Sequence, residues 1–253
     1  MSRAGKIFKV IPKLDARVPA TAMVMAAGKG TRMRPLTATR PKPLIEVAGA
    51  TLLDHVLDHL RAAGVGRVVV NVHYFADALE AHLKSRAGDL EVVVSDERDH
   101  LLETGGGLMK AKPLLRDDPF LCVNTDNIWV DGPVDGIRLL ASHWDDDRMD
   151  ALMLLVPLAR ANNHLGRGDF HMDPWGRLSR RKPGRVAPYV WTGIQMLSQR
   201  LLKDPPGEAF STNVFWDRAI AEGRCFGVVH QGLWFDVGTP PAIQKTEAML
   251  ADG

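Results

Sequence analysis

The chain has only two cysteines, Cys122 and Cys225, in 253 residues. Neither belongs to a CxxC pair and each sits in an apolar run, so both read as small buried hydrophobes, and a disulfide framework is excluded. No apolar run approaches the ~20 residues needed to cross a bilayer. No low-complexity tract or internal repeat stands out either. Charge of one sign is equally scarce. Against 32 Lys and Arg stand 30 Asp and Glu, a formal +2, which is too little to imply nucleic-acid or membrane binding. Residues 1–20 carry Lys6, Lys9, Lys13 and Arg17 without the apolar core of a signal peptide, so they read as an N-terminal extension, and a cytoplasmic enzyme is expected. Two familiar phosphate motifs are missing: there is no GxxxxGK[ST] spacing, and Met33 stands where a dinucleotide fingerprint needs its third glycine.

What is present is the run Met25-Ala26-Ala27-Gly28-Lys29-Gly30-Thr31-Arg32-Met33-Arg34-Pro35-Leu36, continuing to Arg40-Pro41-Lys42-Pro43-Leu44. It joins an apolar strand, Ala22 to Ala27, to a flexible cationic loop. Gly28 and Gly30 let backbone N–H groups approach an anion, Arg32, Arg34 and Lys42 add charge, and Pro41 and Pro43 stiffen the chain around Lys42. Such a loop suits a triphosphate.

Downstream, Leu52, Leu53, Val56, Leu57 and Leu60 recur at helical spacing, with Thr51 as cap and Gly64 as stop. Strands at 67–71, 90–95 and 120–124 alternate with helices near 76–84 and 108–115, which predicts an α/β fold with a mostly parallel sheet flanked by helices. Ligands of such sheets bind beyond the C-terminal strand ends, where Gly28, Asn71 and Asp126 fall. A further central strand is expected at 151–156. Phe170 and Met172, the turn Asp173-Pro174-Trp175-Gly176, and Leu178 predict a short hairpin that begins a small β insertion. A strand at 189–196, a helix at 214–222, a strand at 225–229 and a helix at 242–249 complete the pattern. His55 and His59 are spaced i,i+4 but lack a third ligand nearby, and fit a helix face better than a transition metal.

The glycine loop resembles the G-x-G-T-R-x-R-P-L-T…P-K-P signature of sugar-phosphate nucleotidyltransferases, which make NDP-sugars from a nucleoside triphosphate and a sugar 1-phosphate. Glu103-Thr104-Gly105-Gly106-Gly107, Asn124-Thr125-Asp126-Asn127 and Trp234-Phe235-Asp236-Val237-Gly238-Thr239-Pro240 extend the resemblance, in the family's order, over residues 20–250. The Glu-Thr-Gly-Gly-Gly segment and the short chain look most like the N-acetylmuramate 1-phosphate uridylyltransferases of bacterial cell-wall recycling. Mannose 1-phosphate guanylyltransferases, other sugar 1-phosphate uridylyl- or thymidylyltransferases and a nonenzymatic sugar-nucleotide sensor are the alternatives.

The resemblance implies a Rossmann-like fold, one catalytic domain over 21–253 and a Mg2+ cofactor chelated by Asp126 and Asp236. It assigns Arg32 to the phosphates that leave, Lys42 to the attacked α-phosphate, and Ala27, Gly28, Gly30 and Thr31 to the nucleotide. Glu103, Thr104, Gly105 and Gly106 would wall the base. Lys182 matches the family's sugar-phosphate lysine, and Arg181, standing where a glutamate is usual, is expected to pair with the lactyl carboxylate of muramate. Asn71, Asn127, Trp191, Thr192, Gly193 and Asn213 are the remaining candidates for the sugar side. The incoming phosphate is already ionised, so the reaction needs no protein nucleophile.

Overall fold

The computed structural model describes residues 14–86 and 88–251. Residues 1–13 of the expected N-terminal extension lie outside them, whereas Leu14, Ala16 and Val18 pack against the main core. Strands β1 (Thr21–Met25), β2 (Glu46–Val47) and β3 (Ala50–Thr51) precede helix α1 (Leu52–Ala63), and β4 (Arg67–Val72), α2 (Ala76–Arg86), β5 (Glu91–Asp96), α3 (Glu103–Ala111) and β6 (Phe120–Asn124) follow. Then come β7 (Asn127–Val130), α4 (Gly136–Ser142), β8 (Ala151–Pro157), β9 (Ala161–Asn162), β10 (Phe170–Met172), β11 (Leu178–Arg180) and β12 (Tyr189–Leu197). The chain continues through α5 (Asn213–Ala221), β13 (Cys225–Val229), β14 (Leu233–Asp236) and α6 (Pro240–Ala251).

Nine strands form the main sheet, in the order β11-β10-β12-β6-β1-β4-β5, with β8 beside β12 and β13 beside β8. Strands β6, β1, β4 and β5 run parallel. The apolar runs of β6, β1 and β4 are buried on both faces, as helix-covered parallel strands require, while Val92–Val94 of edge strand β5 are half-buried. Alternation along β1 divides the interior: Ala22 and Val24 join Leu53, Val56, Leu57 and Leu60 of α1 on one face, while Met23 joins Leu108, Phe120 and Phe215 on the other. Each fully buried leucine of α1 contributes about 1.5–3 kcal/mol by leaving water. The helix starts and stops where expected, because Thr51 Oγ1 accepts the Asp54 N–H at 3.0 Å and Gly64, at φ 100°, closes the last turn.

Three features differ from the sequence expectation. The β10–β11 hairpin is the sheet's continuation rather than a separate insertion: nine-residue β12 is long enough to pair with β6 through Ile194–Leu197 and with β10 at Tyr189. Strand β8 lies beyond the parallel core, antiparallel to β12. The third feature is a small sheet, β7-β14-β9, which the sequence pattern did not reveal. Its strands have two to four residues, too few for a period to be legible. Cys122 and Cys225 are free and buried, and burial pushes both thiols up to about 12. Among the described residues, no helix is long and apolar enough to cross a membrane.

Candidate active site

The loop after β1 is held from below. Asn71, near the end of β4 and 2% exposed, accepts the Ala26 N–H at 2.7 Å and the Ala27 N–H at 3.3 Å through Oδ1, and donates from Nδ2 to Glu97 Oε1 at 2.8 Å. Gly28 is exposed, with nothing within 4 Å of where a Cβ would stand. Gly30, at φ 60°, is different: a Cβ there would meet Lys42 Cβ and Thr37 Cγ2 at 2.9 Å each, so only glycine lets the loop close on the stem of Lys42. Met33 anchors the far side in a cluster with Ile128, Phe235 and Val237. That apolar contact brings exposed Thr31 and Arg32 to the strand that carries Asp236.

The small sheet brings the two aspartates together. Asp236 ends β14 in register with Asn127, the first residue of β7, and the Val237 N–H bonds to the Asp126 carbonyl at 3.0 Å. The side chain of Asp126 takes Lys42 Nζ on Oδ2 and Asn127 Nδ2 on Oδ1, each at 3.1 Å. Gly238 completes the approach, since a Cβ there would fall 2.8 Å from Asp236 Oδ1 and 3.4 Å from the Arg32 guanidinium. His164 Nδ1 lies 3.8 Å from Asp236 Oδ2. Two carboxylates and two cations thus face one another at the strand ends.

Two adjoining cavities open here, the first of them against Lys42 and Asp126. One, about 400 Å³, is lined by Ala27, Gly28, Lys42, Glu103, Thr104 and Asp126 among others. The second, about 410 Å³, is lined by Asp169, Phe170, Arg180, Trp191, Asn213 and Trp216, and shares Met25, Thr104, Asn124 and Ser211 with the first. A third concavity of about 450 Å³ shares no residue with them. Its three arginines are engaged by protein: Arg200 and Arg224 bind Asp150 and backbone carbonyls, and Arg218 donates to the carbonyls of Lys203 and Asp204.

A family profile described as nucleotidyl transferase matches residues 21–166, from β1 through Asp126, which follows β6, and beyond. The chain belongs to that family. Within the nucleotidyl transferases it is 42% identical over 240 residues to the N-acetylmuramate alpha-1-phosphate uridylyltransferase of Caulobacter vibrioides, covering 94% of this chain and 99% of the relative. The identically named protein of Neisseria meningitidis serogroup B is 32% identical, with coverage of 90% and 97%. The inositol-1-phosphate CTP transferase of T. maritima has the same fold, with a TM-score of 0.75 at 17% identity and coverage of 94% of this chain and 97% of that one.

Several residues expected to serve the nucleotidyl transferase site lie elsewhere or are already engaged. The helix expected near Leu108 begins at Glu103, itself at φ 57°. Gly105 and Gly106 are buried inside it, and both N–H groups bond to the Phe210 carbonyl, at 2.7 and 3.2 Å. A Cβ on Gly105 would stand 2.5 Å from the Phe210 ring, and one on Gly106 would overlap the Glu208 carbonyl. These glycines permit close packing of α3, and Glu103 and Thr104 are the segment's residues on the cavity wall. Asn71 lines that cavity, but both ends of its amide are bonded to protein.

Of the residues expected to serve the sugar, Thr192 is fully buried and donates to the Leu154 carbonyl at 2.8 Å. Gly193, at φ 88°, gives way to the Asn127 amide, which a Cβ would overlap. Neither lines the second cavity. Lys182 is exposed in the turn after β11 and lines neither cavity. Arg181 donates to the carbonyls of Gly168 and Arg185, at 2.9 and 3.2 Å. Trp191 and Asn213 are on the wall of the second cavity. The sequence reading missed Arg180, Phe170 and Trp216 there. The period of two was available as a signal: Arg180 shares a strand face with buried Leu178, and Arg181 is out of phase with it. His55 and His59 bond to the carbonyls of Val47 and Trp129, as befits a helix face.

Proposed function

We propose that the chain transfers the uridylyl group of UTP to N-acetylmuramate α-1-phosphate, releasing pyrophosphate. The observation that carries this reading is the junction of the two cavities, with the Lys42–Asp126 pair on the wall of the first. A triphosphate in the first cavity and a sugar 1-phosphate in the second would meet there. The end-to-end 42% identity to the Caulobacter enzyme supports the choice of base and sugar.

An oxygen of the sugar phosphate attacks the α-phosphorus as the bond from that phosphorus to the bridging β-phosphate oxygen breaks. The electron pair leaves with pyrophosphate. Both reactants are anions, so fixed cations must offset their repulsion while geometry holds them in line. On this reading Lys42, whose Nζ is held by Asp126, serves the reacting phosphate and exposed Arg32 the departing ones. Gly28 and its neighbours let the triphosphate approach the loop closely.

Asp126 and Asp236 are the residues to hold Mg2+, which would screen the phosphate oxygens during transfer. The donor set fits. Among the described residues no third His, Cys, Asp or Glu completes an all-protein metal cage, and Mg2+ is commonly held by one or two carboxylates together with substrate phosphates and water. On this reading residues 21–253 act as one catalytic domain in the cytoplasm, and the product enters peptidoglycan recycling.

Pyrophosphate release measured with each nucleoside triphosphate against a panel of sugar 1-phosphates tests the proposal. The expected optimum is UTP with N-acetylmuramate α-1-phosphate, dependent on Mg2+. A preference for GTP with mannose 1-phosphate, or sugar-nucleotide binding without turnover, overturns it.

A further inference from the structure

The second cavity holds a single cationic side chain among its lining residues, and it is oriented by four neighbours. Arg180 donates from Nε to Asp217 Oδ1 at 2.8 Å and from Nη2 to Asn213 Oδ1 at 2.9 Å. Its guanidinium carbon lies 5.1 Å from the centre of the Phe170 ring and 5.3 Å from that of Trp216, which fixes the plane of the group. Nη1 has no hydrogen-bond partner among the described residues. Asp169, the acidic residue on the same wall, has one oxygen engaged by the Trp191 N–H at 3.0 Å. Asp217 is largely exposed, so its field is screened by water more than that of a buried partner would be.

A guanidinium with two of its edges tied down and a free nitrogen, pinned beside aromatic rings on the wall of a partly enclosed cavity, is preorganised for a carboxylate. Phosphate binding falls to the other end, where Lys42 and Arg32 lie. We infer that Arg180 recognises a carboxylate carried by the sugar, away from its phosphate, and so selects acidic sugar 1-phosphates over neutral ones. The inference rests on the substrate reading above: the lactyl ether of N-acetylmuramate supplies such a carboxylate, and N-acetylglucosamine lacks it. Arg181, though adjacent, does not line this cavity, and its guanidinium donates to backbone carbonyls beside the turn.

The test compares kcat/KM for N-acetylmuramate 1-phosphate and N-acetylglucosamine 1-phosphate, with UTP, in the wild-type protein and in R180Q, R180K and R181Q. A charge-assisted hydrogen bond lost in R180Q should lower kcat/KM for the carboxylated sugar about 10- to 100-fold, mainly through KM, and change that for the neutral sugar less than about threefold. R180K, which keeps the charge without the planar fork, should fall between, and R181Q should retain the wild-type selectivity ratio. A merely structural role for Arg180 would lower both sugars together, and that result overturns the inference while leaving the substrate reading intact. A wild-type protein that uses both sugars equally well overturns the substrate reading, and the inference with it.

Discussion

Replacing Asn71 with alanine should detach the nucleotide loop from the sheet beneath it. The deletion leaves the Ala26 N–H, the Ala27 N–H and Glu97 Oε1 without their partner, at a position 2% exposed. A buried polar group left unpaired costs about 1–3 kcal/mol. The Ala27 bond is long and counts for little, so two full losses give about 4 kcal/mol, and with it a fall of about 8–16 °C in melting temperature for a chain of this size. Glu97 keeps one bond, from the Leu102 N–H at 3.3 Å, so the carboxylate is weakened rather than abandoned. KM for the triphosphate should rise in parallel, because Gly28 and Gly30 follow directly on the freed residues.

N71D separates hydrogen bonding from size. Aspartate can still accept both N–H groups, but it sets a second carboxylate against Glu97, where 2.8 Å now separates donor and acceptor. One of the two must then hold a proton, with its pKa raised above the unfolded carboxyl range near 4. A raised folded-state pKa gives stability that is present at low pH and lost as pH rises through it. The deficit of N71D relative to wild type should therefore widen from pH 5 to pH 8 in urea denaturation, and that of N71A, which brings in no second carboxylate, should widen less. If N71A unfolds within about 1 kcal/mol of wild type and binds triphosphate normally, Asn71 does not hold the loop.

The two kinds of glycine should separate in the same assay: G28A, with open space around its Cβ, should stay within about 0.5 kcal/mol of wild type, while G106A, which overlaps the Glu208 carbonyl, should lose several. Equal effects would remove the packing explanation for α3. D126N and D236N should each lower turnover about 100-fold or more, with little change in melting temperature, since side-chain size is kept and a hard anionic ligand is removed; near-normal turnover of both folded variants at limiting Mg2+ would refute the metal assignment. Burial holds the His230 imidazole below its ordinary 6.5, against the pull of Asp131. A depressed folded-state pKa means that stability is present above about 6.5 and declines as pH falls below it. Unfolding free energies of wild type and H230Q between pH 7.5 and 5 should diverge, the variant declining less steeply; coincident slopes would show that His230 does not titrate on unfolding.

Local chemistry was enough for much of the sequence reading. The capped helix α1, the apolar strands β1, β4 and β6, and the glycine and basic residues of the first loop are each specified by neighbours a few positions apart, so their patterns are visible in one dimension. The order of the motifs was likewise enough to indicate the family. Tertiary structure decided what depends on residues distant in the chain. Asp126 and Asp236 meet because two four-residue strands pair, and strands so short carry no readable period. The glycines of α3 face a carbonyl a hundred residues away, so their packing role has no local signature. Of two adjacent arginines, the one in phase with buried Leu178 reaches the cavity and the other is bound to the turn. Side-chain charge is written in the sequence, but its direction follows from the strand that presents it and from the residues brought to meet it.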